Sequence, residues 1–169
     1  MSQFYTSADH FTIIPAVMLA LFGCAILLFD FLIFPDPRQR KWLVIFVAFA
    51  EGFTGFGLYR QYVYLAANGL SELTGFQGSV TVDGFGIFFN WIFVAAALIV
   101  ALVSYKYLEI AGEHHGEYYA LMLFAQCGMY FLATGTDLIT LFIGLELMAL
   151  CFYVMVASCA PTSAPTRPP

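Results

Sequence analysis

The stretch 135–157, GTDLITLFIGLELMALCFYVMVA, decides how the chain is read. After Gly135, Thr136 and Asp137 it stays apolar for about the 20 residues that a helix needs to cross a bilayer, apart from one carboxylate, Glu146, near its centre. An acid at that depth costs about 2.5–3.5 kcal/mol on insertion scales, so membrane helices carry one where it meets a partner, an ion or a proton. Two readings follow for Glu146: an interhelical hydrogen bond made by a protonated carboxyl, or a group that takes up and releases a proton as a cation approaches and withdraws. Asp137, at the head of the run, is an N-cap or first-turn acid that the positive end of the helix favours.

The rest of the chain has the same character. Of its 169 residues 62% are hydrophobic and 10% charged, and the mean hydropathy is +0.85; soluble domains are about 25% charged. The fold class expected is all-α, a polytopic membrane protein embedded in the lipid bilayer. A formal charge of -5 with six Lys and Arg excludes a nucleic-acid footprint. Cys24, Cys127, Cys151 and Cys159 are scattered, with no Cys-x-x-Cys pair for zinc or an iron-sulfur cluster, so no metal site is expected. The start, MSQFY, has no basic n-region, and the first apolar run ends in Phe34 and Pro35 rather than a small-residue cleavage site. The first helix is therefore expected to stay in the membrane.

Apolar runs long enough to span are 11–34, 42–66, 85–108, 118–133 and 138–157, about five transmembrane helices with the fourth the shortest. The connections are 35–41, the Gly-, Ser- and Thr-rich piece 68–82, 109–117 and a tight turn at 134–136, short enough to make sequence neighbours antiparallel. Arg38, Arg40 and Lys41 cluster in the first connection, supported by Lys106 and Arg167; the second connection has Glu72 and Asp83 and no Lys or Arg. Basic loops stay inside. The expected location is the cell inner (plasma) membrane, amino terminus outside and tail cytoplasmic, leaving Arg60 near the outer end of the second helix.

That second helix holds another intramembrane acid, Glu51, followed by Gly52, Gly55 and Gly57, small residues that let a neighbouring helix approach closely. Glu51 reads as a hydrogen-bonded member of a packing face, or as part of a proton path. Glu51 and Asp137 are secondary candidates beside Glu146. Asp30 reads as an interfacial residue near Arg38 and Arg40. Gly55-Phe56-Gly57 and Gly84-Phe85-Gly86 are too short for a dinucleotide fingerprint and follow no strand. His114 and His115, adjacent in a polar turn, would face different ways on a helix and read as solvated.

The residues GEYYALMLFA at 116–125 and DLITLFIGLELMALCFYVMVA at 137–157 closely resemble the fourth and fifth helices of the antiporter-like subunits of proton-pumping NADH:quinone oxidoreductase, respiratory complex I, and within that group the N subunit. The stretch from Asp83 to Glu109 is similar to its third helix, and that from Ile14 to Asp30 to its first. Ala16 stands where the family often has Glu, and Asn90 where Lys is common. The resemblance implies a subunit without redox centres, the NADH, FMN, iron-sulfur clusters and quinone of the complex lying elsewhere. It also implies that Glu146 is the helix-five Glu that pairs with a Lys on a later broken helix to pass protons, with the other membrane-arm subunits as partners. That Lys is not in this chain, which matches about the first third of the family's length. Five helices fall short of one inverted repeat of such transporters, so no complete active site is expected in this chain alone.

The final residues, 158–169, are Pro-rich and read as a disordered tail. Codons for this tail, shifted by one base, can encode a loop similar to the family's continuation, so the tail is expected to be a frameshift product. Two rival functions fit the same motif: a subunit of a multisubunit cation/proton antiporter or membrane hydrogenase, and a non-catalytic packing or accessory membrane protein.

Overall fold

The computed structural model describes residues 7–32, 41–111 and 115–158, and these form five helices and one hairpin. The helices are α1 (Ser7–Leu32), α2 (Lys41–Asn68), α3 (Gly84–Ala111), α4 (His115–Thr134) and α5 (Leu138–Ser158). The long apolar runs explain them: in lipid a helix satisfies its own backbone, and only the termini need outside partners. Four of the five, Ala8–Leu32, Trp42–Asn68, Gly84–Lys106 and Leu138–Ser158, are long and apolar enough to cross a membrane. The architecture is therefore all-helical and polytopic. α4 is not in that set. Its 20 residues include Glu117 and Gln126, and it packs against every other helix, at the centre of the bundle.

The core lies between α1, α2 and α4, where Leu19, Ile26, Leu43, Val47, Leu58, Tyr119 and Leu123 are buried. A proline decides its polar details. Pro15 lies inside α1 and has no N–H to give to the carbonyl four residues earlier, that of Phe11. Gln61 of α2 supplies the missing donor: its Nε2 donates to Phe11 O at 2.9 Å and to Thr12 O at 3.2 Å. The Tyr130 hydroxyl of α4 also donates to Thr12 O, and the Cys127 thiol donates to Ala16 O at 3.5 Å. Three helices are thus joined around one proline.

Between α2 and α3 the chain forms a hairpin, where the sequence reading placed a plain loop at 68–82. Strands β1 (Glu72–Gly75) and β2 (Val80–Asp83) pair antiparallel with Leu73 opposite Val82, around a single 3₁₀ turn, Phe76–Gly78. The turn holds Phe76 and Gln77 at positive φ, 52° and 57°, which is uncommon for side-chain-bearing residues. Contacts on α1 support it. The Phe76 N–H donates to the Asp9 carboxylate, and a Cβ on Gly75 would run into Thr12. The hairpin also reaches the turn before α5, through a Val80–Gly135 bridge and Thr136 N donating to Ser79 O at 3.1 Å.

Other expectations need adjusting. α1 starts at Ser7, four residues before the expected boundary, and α3 runs on to Ala111, so 109–111 is helix rather than connection. His115 opens α4 instead of sitting in a turn, whereas His114 lies outside the described residues. Ser158 closes α5, and the rest of the expected tail, 159–169, also lies outside them. Asp30 packs on Gly116, where a Cβ would overlap its carboxyl. It therefore sits at the positive end of α4, while Arg38 and Arg40, its expected neighbours, are not among the described residues.

Candidate functional site

The crossing of α4 and α5 fixes where Glu146 points. A Cβ on Gly128 would stand 2.6 Å from Gly144 O, and one on Gly144 would stand 2.9 Å from Gly128 O, so only paired glycines allow this approach. Gly144, Cys151 and Met155 are buried on that side. Glu146 follows Gly144 by two residues, about 200° around the helix. It consequently lies on the opposite face and is exposed.

That open face is apolar apart from Glu146: Ile139, Phe142, Ile143, Leu150 and Tyr153 surround it, with Ile139 72% and Tyr153 70% exposed. Among the described residues nothing hydrogen-bonds or ion-pairs with the Glu146 carboxyl. A carboxyl displayed on a lipid-height apolar face is costly unless something else covers it.

Glu51 behaves differently. It is 1% exposed, and its Oε2 accepts a hydrogen bond from Gln126 Nε2 at 2.9 Å. Its Oε1 has no partner, and Gln126 Oε1 has none either. Of the three glycines after it, Gly55 faces Trp91 of α3 and Gly57 faces Ile14 and Pro15 of α1, while Gly52 meets nothing.

Asp137 is the N-cap of α5: its Oδ1 accepts from Thr140 N at 2.6 Å and its carbonyl from Leu141 N at 3.1 Å. Hydrogen bonds from the Thr140 N–H, and next from the Ser79 hydroxyl, hold its carboxyl below the ordinary value. The three acids are not gathered into one centre; Glu146 and Asp137 share α5 and Glu51 is buried on α2. At the two positions that depart from the family pattern, Ala16 is buried and Asn90 donates to Gly86 O of its own helix at 2.8 Å. Among the described residues no three His, Cys, Asp or Glu side chains gather as metal ligands would, and Cys24, Cys127 and Cys151 are free thiols.

Gln126 and Gln61 carry the buried polar contacts and were not singled out from sequence. The available signal was an amide inside an apolar run, the same anomaly that marks Glu51 and Glu146.

No family model matches the chain. It is 82% identical over 155 residues to NADH-quinone oxidoreductase subunit N 2 of Solibacter usitatus (strain Ellin6076), covering 92% of this chain and 31% of the relative. It is 39% identical over 150 residues to subunit N 1 of Koribacter versatilis (strain Ellin345), covering 88% and 29%. To subunit N of Trichlorobacter lovleyi (strain ATCC BAA-1151 / DSM 17278 / SZ) it is 33% identical over 162 residues, covering 92% and 30%. The chain spans about a third of the length of these curated relatives. Its helices, its glycine crossing and its intramembrane Glu146 accompany these matches, and the chain belongs to the NADH-quinone oxidoreductase subunit N family.

Proposed function

We propose that this chain forms part of a proton-translocating membrane-arm subunit of an NADH:quinone oxidoreductase, with Glu146 as a proton-carrying group. The supporting observation is the place of Glu146, alone on the open apolar face of α5. In this reading a later part of a full-length subunit covers that face and brings a Lys to Glu146. A nearby cation favours the ionised carboxylate, and its withdrawal favours the protonated acid. Alternation between these states hands one proton on at Glu146 per cycle.

The neighbours of Glu146 then have defined tasks. Gly128 and Gly144 hold α5 against α4 so that the carboxyl faces outward. Asp137 and the hairpin anchor the amino end of α5. The apolar side chains around Glu146 keep water away, which strengthens its response to a nearby charge. Electron transfer from NADH, through FMN and iron-sulfur clusters to quinone, belongs to other parts of the complex. The partners are the remaining membrane-arm subunits, and the amino terminus faces outside.

The relatives reported above are all subunit N, so the antiporter and hydrogenase alternatives are not favoured. The test is Glu146→Gln in a full-length subunit N bearing this sequence, assembled in its complex in proteoliposomes. Proton uptake per NADH oxidised should fall while the complex still assembles. Unchanged uptake with normal assembly would remove Glu146 from the path.

A further inference from the structure

Glu51 and Gln126 leave a hydrogen-bonding problem that their own contact does not solve. Each side chain is almost wholly buried, at 1% and 2% exposure, and each keeps one oxygen without a donor. Gln126 Nε2 already donates to Glu51 Oε2. An orphaned buried acceptor is costly, so the pair calls for donors from outside itself. Two species supply them: a proton on the carboxyl and a water beside it.

A cleft lies next to the pair. Gln126 lines a cleft of about 380 Å³ between α3, α4 and α5, together with Phe93, Ala97, Tyr118, Met122 and Met155. Gln126 is thus both a lining residue of the cleft and the hydrogen-bond partner of the Glu51 carboxyl. α2 packs against α1, α3 and α4. Among the described residues, the titratable side chains buried on those helices are Asp9 on α1 and Tyr119, Cys127 and Tyr130 on α4, and the side chain hydrogen-bonded to Glu51 is Gln126.

We propose that Glu51 and Gln126 form a second, proton-holding site, reached by water from the cleft between α3, α4 and α5. A hydronium in the cleft gives up one proton and leaves as water, while a new O–H bond forms at Glu51 Oε1. Release reverses both bonds. Gln126 is a positioning residue: it holds Oε2 by its N–H and offers its own oxygen to the incoming water. The site is separate from Glu146.

The test is infrared difference spectroscopy on the full chain in lipid nanodiscs, comparing native protein with E51Q and Q126L, each checked for native helix content by circular dichroism. The native chain should show the carbonyl stretch of a protonated carboxylic acid that E51Q lacks. That band should shift on transfer to D2O, and the shift should be slower in Q126L, where the link to the cleft is cut. If E51Q does not insert, E51D assigns the band instead, by moving its frequency while the band remains. A native spectrum without the Glu51 band, or exchange equally fast in Q126L, would overturn the proposal.

Discussion

Replacing Gln61 by Leu should destabilise the bundle, and most of that cost should vanish if Pro15 is first replaced by Ala. In the native chain Gln61 is the donor for the Phe11 carbonyl that Pro15 leaves free, at 2.9 Å, while Thr12 O keeps the Tyr130 hydroxyl when Gln61 is lost. Q61L therefore orphans one half-buried carbonyl, where full burial would cost about 1–3 kcal/mol. Hydrogen bonds between membrane helices measure near the lower end, about 0.6–2 kcal/mol, so about 1 kcal/mol is expected here. In a P15A chain the new backbone N–H reaches Phe11 O within α1, and Gln61 becomes largely dispensable. The double-mutant cycle should then show a coupling of about 1 kcal/mol, above the roughly 0.3–0.5 kcal/mol scatter of independent sites. Equilibrium unfolding of the four chains in lipid bicelles, followed by helix content, measures it. Additive costs would refute the assignment of Gln61 to the proline gap.

Other substitutions test the remaining joints. Gly128→Ala places a Cβ 2.6 Å from Gly144 O and should cost about 1–3 kcal/mol by forcing α4 and α5 apart, read as a lower unfolding midpoint. Asp83 accepts from Gly86 N at 2.7 Å as the cap of α3, and Asp83→Ala should cost about 1 kcal/mol in the same assay. Asp137 is held below its ordinary carboxyl value in the folded chain. Its contribution is therefore complete above the unfolded value and is lost as pH falls through the lower, folded one. Amide exchange at the first turn of α5 should rise on acidification in the native chain, and Asp137→Asn should flatten that dependence.

Much of the helical frame is legible because an apolar run of 20 residues in a chain this poor in charge has few alternatives. The hairpin is not, since its strands have four residues each. Their alternation, Val80 and Val82 inward, is too brief to outweigh the Gly and Ser around it. Asp137 could be read as a cap from its place before an apolar run. Glu146 could be found as an anomaly, but its exposure depends on the Gly128–Gly144 contact, which no local pattern encodes. Glu51 shows the same limit: its partner, Gln126, lies 75 residues away in sequence. Gln61 meets Phe11 and Thr12 across 50 and 49 positions. Such pairings come from the packing of helices, which periodicity alone does not give.

In the proposed function a later segment of a full-length subunit completes the face of α5 bearing Glu146. Tyr153 lies seven residues after Glu146, two turns along the same face, and is 70% exposed. A photoreactive benzoylphenylalanine in place of Tyr153, in a full-length subunit N within its complex, reports directly on what lies there. The expected product is a cross-link to a segment of the same subunit beyond residue 169. Capture of lipid alone would contradict it.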